Sequence, residues 1–489
     1  MGAENETNPG CGTRFAVDLR RQFEGLAEGA SHSPGPLGAG AAASATRYRW
    51  LAIVGVITAV IATGVALTLL VARSGTGPNR QLAVASPTAV QSSPGARGAI
   101  DNRQGGPTFP DVTEISAVAI DATGRPWFSG SRGRGKQPFI AYLDGSRWVQ
   151  IPVPADEKYL GPVTVLSTDD LWAAATRGFV HWDGTAWQTT PVSWVDVDGG
   201  IVGIGEMAAL STNDIWAVGR QKGELYKSPG DGPGEHTVGY RPLTMHWDGT
   251  AWVAVKVPAM PGRSSALAAV SARSGETWAV GSYAVKVGEE AQPDALPREI
   301  IQNGPIALRW DGAHWVDMAA PNPGARGTAL NDVLVLARND VWVLGETSHG
   351  DESAAHDETV TTYLAHWDGT TWEQIRTPRG DSWGIFWTIT GTADGDIWLG
   401  GTGNYGFGYA EAVHWDGAHW AIYPPKMFGE RSSGTGDIGS GDPQVVALSP
   451  TDVWFDPGFT RFWVDRSQPA DPALFHWDGH SWTKVVAPL

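Results

Sequence analysis

The sequence predicts an all-β fold that is built from one repeated unit, and three observations lead to this prediction. A motif of the form His-Trp-Asp-Gly-x-x-Trp, which we call the first word, is complete at 181–187 and recurs with variations along the chain. A second word, an acidic residue followed two positions later by tryptophan, precedes the copies, as at 214–216. Glycine and proline are abundant, at 63 and 33 residues, as many short strands and turns require. Paired words that recur in a fixed order are typical of repeat architectures.

Each repeat is predicted to contain four short strands. An apolar run, a polar turn and a strand with the second word come first, as at 207–219. A variable loop leads to a third strand that ends in the first word, whose Asp-Gly pair predicts a hairpin turn. A fourth strand ends at a proline, as at 252–258. We therefore expect a seven-bladed β-propeller of four-stranded antiparallel blades over 111–489, because units of this length bury little core as separate sandwiches.

The repeated residues are predicted to have structural roles. Copies of the first word stand at 143–148, 181–187, 246–252, 309–315, 366–372, 414–420 and 476–482, of which the first is shorter and the fourth begins with arginine. We expect the tryptophans to pack between neighbouring blades, the aspartate to accept backbone N–H groups and the glycine to adopt positive φ. Five equivalent histidines lie on a ring too wide for one metal ion. The last repeat has its own fourth strand, which predicts closure without a swapped strand.

The N-terminal part predicts a membrane anchor. Residues 50–72 carry no charge, and as a helix they are long enough to cross the ~30 Å hydrocarbon core. Residues 73–110 are rich in Pro, Gly and Ser, which is typical of a flexible, disordered linker. Residues 1–49 are expected to be a cytoplasmic segment with an amphipathic helical pattern over 14–30. We therefore expect a single-pass protein of the cell membrane that displays the propeller outside the cell.

The two words also resemble a known family. Trp-Asp-Gly-Thr-x-Trp and Asp-Ile-Trp-Ala-Val-Gly are similar to repeats of secreted or membrane-anchored bacterial seven-bladed β-propeller proteins. The first word resembles the Asp-box turn of sialidase-type propellers and the repeats of the photosystem-assembly-factor type. The Asp-box has one more residue between its Asp and Gly than this chain has. The resemblance covers 111–489 and implies the fold; because propellers host many activities, it implies no single function.

The net charge and the absence of certain motifs argue against several classes of function. The net charge is −17, which opposes nucleic-acid binding because that needs a basic surface. Cys11 is the single cysteine, so no intrachain disulfide can form. The sequence has no nucleophile elbow, phosphate loop or zinc motif. We expect no cofactor and no metal site, and we interpret the acidic loops at 196–199 and 349–358 as solvated.

Candidate binding residues lie outside the repeated words. The second-to-third-strand loops and the connections between repeats are long and irregular, at 191–205, 220–242, 282–304, 347–361, 402–410, 424–442 and 456–472. Both kinds of segment open on one face of a propeller, which we call the long-loop face. The unrepeated aromatic residues that we assign to this face are Trp194, Trp383, Trp387, Tyr405, Tyr409 and Trp463. Exposed aromatic rings stack on sugars or anchor protein partners; the alternative is that they cover the blade edges.

The leading hypothesis is a binding module for a cell-surface glycan or a protein partner. A second hypothesis is a hydrolase or lyase that acts on polysaccharide, which a carboxylate pair ~5 to 9.5 Å apart at the central opening would favour. A third is a transmembrane sensor that signals through 14–30. The sequence leaves all three open.

Overall fold

The structure is a computed structural model that describes the chain from 112 to 486 with gaps. The described residues are 112–121, 123–132, 137–145, 147–154, 157, 160–176, 178–192, 203–227, 236–290, 298–324, 326–349, 359–378, 385–392, 395–402, 410–423, 443–457 and 473–486. They form strands and no helix. None of them could therefore span a membrane as a helix, and the predicted span at 50–72 lies outside them.

The strands follow one another in units of four, numbered in chain order. Unit 1 has β1 (Val112–Ile120), β2 (Pro126–Arg132), β3 (Gln137–Asp144) and β4 (Arg147–Ile151); unit 2 has β5 (Leu160–Ser167), β6 (Asp170–Ala175), β7 (Gly178–Trp182) and β8 (Trp187–Pro191). Unit 3 has β9 (Gly203–Ser211), β10 (Asp214–Tyr226), β11 (Thr237–Trp247) and β12 (Trp252–Ala254); unit 4 has β13 (Ser264–Arg273), β14 (Glu276–Glu290), β15 (Arg298–Trp310) and β16 (Trp315–Asp317). Unit 5 has β17 (Gly327–Ala337), β18 (Asp340–His349), β19 (Thr359–Trp367) and β20 (Trp372–Gln374); unit 6 has β21 (Ile385–Gly391), β22 (Ile397–Thr402), β23 (Ala410–Trp415) and β24 (Trp420–Tyr423). Unit 7 has β25 (Gln444–Ser449), β26 (Asp452–Asp456), β27 (Ala473–Trp477) and β28 (Trp482–Val486).

The units form an all-β propeller of four-stranded antiparallel blades, with one exception to the expected pattern. Units 1, 2, 3, 6 and 7 each make a separate four-stranded sheet, whereas units 4 and 5 share an eight-stranded sheet. They join because Asn303, in the first half of β15, pairs in parallel with Gly327 at the start of β17. The expected count of seven separate blades is therefore wrong: five blades are separate among the described residues.

The bridge between units 4 and 5 depends on a glycine. Gly327 has φ +106, and a Cβ there would lie 1.9 Å from the carbonyl oxygen of Asn303. Gly312, in the turn between β15 and β16, has a similar φ of +100 but nothing within 4 Å of its Cβ position. Both positions therefore strain any side chain, and only Gly327 adds a steric clash.

We expect Gly327→Ala to lower the free energy of unfolding by about 1–3 kcal/mol more than Gly312→Ala does. Both substitutions force an L-residue into positive φ, so their difference isolates the close approach to Asn303. Urea titration of the two variants measures it. Equal losses would show that the bridge tolerates a methyl group and does not require glycine.

The first strands of the units form a closed inner ring. Each contacts the first strand of the next unit, and β25 contacts β1. Apolar cores lie between consecutive units; at the closure Trp454 and Leu474 of unit 7 pack with Val118 and Phe128 of unit 1. All strands of the last sheet come from unit 7, so closure without a swapped strand is confirmed.

The Asp-Gly word forms the predicted turn. In unit 3 the carboxylate of Asp248 accepts the backbone N–H groups of Thr250 and Ala251 at 2.8 and 2.9 Å, and Gly249 has φ +89. The turn contains four residues, because the ladder closes on Trp247 and Trp252. In unit 1 Leu143 pairs with Trp148, and the ladder has one further pair, Asp144 with Arg147. Four residues again separate the positions that match the two tryptophans, so the first copy is not shorter than the others.

Two segments predicted as irregular loops are mostly strand. β10 and β11 cover much of 220–242, and β14 and β15 cover much of 282–304. Their ladders continue through cross-strand pairs such as Lys222 with Tyr240 and Tyr283 with Gly304. Side chains that pair across strands stabilise a ladder without a repeated word, which explains why the repeat pattern did not reveal these extensions.

Candidate functional site

The repeated histidine belongs to a structural contact of three residues. In unit 3 the ring of His246 stacks on its cross-strand neighbour Trp216, with centroids 4.2 Å apart. Its Nε2 lies 2.8 Å from a carboxylate oxygen of Asp214, the acidic residue of the second word. The same contact joins Asp170, Trp172 and His181, Asp340, Trp342 and His366, Asp396, Trp398 and His414, and Asp452, Trp454 and His476. The prediction of structural histidines is confirmed for these five units.

Unit 4 replaces both polar members of this contact together. Arg309 takes the place of histidine and Glu276 the place of aspartate, and the guanidinium donates to both carboxylate oxygens at 2.7 and 3.1 Å. This ion pair raises the pKa of Arg309, chiefly through its hydrogen bond to Glu276. Arginine, which is longer than histidine, therefore pairs with glutamate, which is longer than aspartate. The link between the two strands is kept.

We expect this pair to behave as a unit in a double-mutant cycle. Arg309→His and Glu276→Asp should each cost about 1–2 kcal/mol of unfolding free energy, because each leaves a charged group with a mismatched partner. The double variant restores the pair found in five other units and should recover most of the loss. Additive losses would mean that the two residues are not coupled.

The repeated tryptophans pack between neighbouring units, as predicted. Trp216 of unit 3 lies 4.9 Å from Trp310 and 5.0 Å from Trp315 of unit 4, between ring centroids. Trp172 contacts Trp247 and Trp252 of unit 3 in the same way, at 4.7 and 5.8 Å. The repeat words therefore serve the fold, and they leave functional residues to be sought elsewhere.

Polar side chains join the strands of the inner ring, and we call them the inner belt. Each accepts a backbone N–H of the next unit: Glu206 from Val270 at 2.8 Å, Asp332 from Ile389 at 2.8 Å, Thr388 from Val445 at 3.3 Å and Gln444 from Val118 at 3.0 Å. The last of these bonds crosses the closure of the ring. The inner strands have no further strand on their central side, so the belt satisfies N–H groups that would otherwise lack a partner.

The inner belt holds two buried carboxyl groups. Glu206 is 2% exposed and Asp332 6%. Burial raises the pKa of Glu206 well above its ordinary value, and the charge of Asp332 raises it further. Burial also raises the pKa of Asp332, to about 7. The sequence prediction missed both residues. Each is the single acidic residue in the otherwise largely apolar first strand of its unit, and this is the signal that could have identified it.

Trp387 is the one predicted contact that the structure describes. It lies in β21 rather than in a loop, at a register shift between Phe386 and Thr388. Phe386 and Ile389 pack in the core shared with unit 5, and Thr388 bonds to unit 7. Trp387 belongs to neither core and is half-buried. As the third residue of an inner strand that starts from the long-loop face, it lies near that end of the central opening.

The other predicted contacts are not placed. Trp194, Trp383, Tyr405, Tyr409 and Trp463 lie outside the described residues, so the structure does not test whether they meet. The acidic loop residues at 196–198 and 351–358 also lie outside. Within the described part of the chain, no group of three or more His, Cys, Asp or Glu side chains could hold a metal ion.

Comparisons with known proteins bear on the fold. No family model and no curated protein matches the chain. A structure of YCF48 bound to D1 peptide is 14% identical over 74% of this chain and 96% of that one, with a TM-score of 0.42. An Aleuria aurantia lectin in complex with a fucosylated disaccharide is 14% identical over 65% and 96%, with a TM-score of 0.35. A polysaccharide lyase, ulvan lyase, is 12% identical over 77% and 85%, with a TM-score of 0.39.

Identities and TM-scores at this level carry no argument about function, and the assignment to the β-propellers stands on the described strands. The predicted resemblance to propeller proteins is thus confirmed for the fold, while the bacterial membrane-anchored family remains a proposal.

Proposed function

We propose that the protein is a binding module whose long-loop face over units 5 to 7 takes a glycan or a protein ligand. The observation that carries the proposal is Trp387, a large ring on an inner strand that neither neighbouring core uses. The repeated tryptophans and histidines have structural contacts, whereas Trp387 is an unrepeated, half-buried tryptophan whose ring can act in recognition. Trp194, Trp383, Tyr405, Tyr409 and Trp463 are the further proposed contacts.

A binding screen of the full-length protein against glycans and candidate proteins tests this function. We expect at least one ligand to bind saturably, and Trp387→Ala or Trp463→Ala to weaken it by ~1 kcal/mol or more per ring. Val253→Ala, on an exposed outer-strand position, is the control and should bind as the unmodified protein does. Failure to bind any ligand, or binding that all three variants retain, would refute the proposal.

We also propose that 50–72 anchors the protein in the cell membrane, with 1–49 in the cytoplasm, 73–110 as the linker and the propeller outside. The uncharged run at 50–72 supports this proposal. Protease added to intact cells should remove an epitope at Leu489 and spare one at Met1. The reverse pattern would overturn it.

We further propose that the eight-stranded sheet acts as two blades, which gives the ring seven sectors. Its halves are joined by the single pair Asn303 with Gly327, and each half has its own first strand in the inner ring. A solved structure of the propeller checks the number of sectors.

A hydrolase or lyase is the second candidate, and the pair Glu206 and Asp332 favours it. The pKa of each carboxyl is raised, as a general acid at neutral pH requires. Against it, both are buried and each accepts backbone N–H bonds. Turnover of a polysaccharide that Glu206→Gln abolishes without unfolding the protein would favour the enzyme over the binding module. The sensor hypothesis rests on 14–30, outside the described residues.

A further inference from the structure

The inner strands share a backbone irregularity that the sequence repeat explains. In several units one extra residue interrupts the ladder between the first and second strands, and these bulge residues are Ser116, Gly205, Ala268, Asn331 and Trp387. Opposite each of the last four lies a glycine, three residues after the tryptophan of the second word. A Cβ at Gly281 would lie 2.0 Å from the oxygen of Ala266, and one at Gly401 2.2 Å from that of Ile385. The repeated glycine therefore allows the first strand to bulge, and bulges redirect a side chain.

In units 3 and 4 the two bulge positions are adjacent. A Cβ at Gly205 would lie 2.6 Å from the carbonyl oxygen of Ala268. Asn331 and Trp387 occupy the same two positions in units 5 and 6, and the bond from Ile389 N–H to Asp332 holds their strands in register. From this register we infer that Asn331 lies near the backbone of Trp387 and that both side chains extend toward the central opening.

Asn331 carries a buried donor that the fold leaves unused. Its Nδ2 has no hydrogen-bond partner among the described residues. Buried polar groups nearly always have a partner, and an exception asks for an explanation such as a water or a ligand. An oxygen acceptor at this position would remove the cost of the unpaired donor.

We propose that Trp387 and Asn331 form a subsite for one pyranose ring of a neutral glycan at the central opening. The apolar face of the sugar stacks on Trp387, and one sugar oxygen accepts a hydrogen bond from Asn331 Nδ2 once the amide turns from its buried position toward the opening. A sugar ring supplies an apolar face and acceptor oxygens on one rigid frame, which matches this pairing of aromatic ring and amide. The assignment rests on the proposed binding function and narrows its ligand to a glycan.

The test uses the full-length protein and four trisaccharides: maltotriose, cellotriose, mannotriose and chitotriose. Binding is measured by calorimetry and by saturation-transfer NMR. We expect at least one to bind, Trp387→Ala to weaken it at least about fivefold, and Trp387→Phe to keep most of the affinity. Asn331→Ala should weaken binding about fivefold through the lost hydrogen bond. Gln374→Ala, an exposed amide on β20, is the matched control and should leave binding and melting temperature unchanged.

The outcomes separate this subsite from the broader function. If a trisaccharide binds and both Trp387→Ala and Asn331→Ala bind it as the unmodified protein does, the subsite is wrong while the binding module stands. If no trisaccharide binds but a protein ligand depends on Trp387, the glycan assignment is overturned. If neither glycan nor protein binds, the proposed function fails as well. A melting temperature lowered by Trp387→Ala as far as by Trp216→Ala would make the residue structural and overturn the subsite.

Discussion

Trp216→Ala is expected to lower the free energy of unfolding by about 3–5 kcal/mol. The ring is 1% exposed, stacks on His246, and packs against Trp310 and Trp315 of the next unit. The substitution removes contacts within unit 3 and between units 3 and 4, and the closed ring limits how far the backbone can collapse into the cavity. Urea unfolding followed by tryptophan fluorescence measures the loss.

Val253→Ala is the control for this truncation. Val253 is adjacent to the unit's last tryptophan but is 50% exposed, so its substitution should change stability by less than about 0.5 kcal/mol. A loss for Trp216→Ala below about 1 kcal/mol would contradict the structural role of the repeated tryptophans.

Raising the pH from about 4 to 8 is expected to destabilise the fold through Asp332. Burial raises its pKa from 3.8 to about 7, so folding favours the protonated carboxyl. The stabilisation is complete below the unfolded pKa and is lost as the pH rises through about 7. Each pKa unit is worth ~1.4 kcal/mol of unfolding free energy, and Glu206, whose pKa is also raised by burial, acts in the same direction.

Asp332→Asn tests this linkage through the slope of stability against pH. Asparagine cannot titrate, so the variant should lose less stability between pH 4 and 8, and the loss that remains should come from Glu206. Like the protonated carboxyl, asparagine offers one carbonyl oxygen to the N–H groups of Val333 and Ile389, so its stability at low pH should lie within about 1 kcal/mol of that of the unmodified protein. Asp317→Asn, at an exposed position on β16, should keep the slope of the unmodified protein. An unchanged slope in Asp332→Asn would assign the pH dependence elsewhere.

The sequence predicted those features whose cause lies within one repeat. Trp216 and His246 are cross-strand neighbours, and Asp248 and Gly249 act inside one turn, so a repeated word records each of them. The tryptophan contacts between units were also predictable, because every unit presents the same rings to the next. These residues account for the turns and for the aromatic packing between units.

The features that were missed depend on contacts between different units. Glu206 and Asp332 accept N–H groups from the following inner strand, and no short pattern distinguishes them from other acids. The joined sheet depends on Asn303 meeting Gly327 across two units. Trp387 was predicted to lie in a loop. It lies at a bulge instead, and the bulge depends on Gly401 of the neighbouring strand, so no pattern close to Trp387 in the sequence indicates it.

The central claim is that repeated aromatic residues build the fold while unrepeated ones serve recognition. Parallel urea unfolding of Trp216→Ala and Trp387→Ala, which remove the same side chain from two strands of the propeller, tests it most directly. The account predicts a large loss for Trp216→Ala and a loss below about 1 kcal/mol for Trp387→Ala, whose ring no core uses. Equal, large losses would contradict the claim, because Trp387 would then be a core residue of the inner ring.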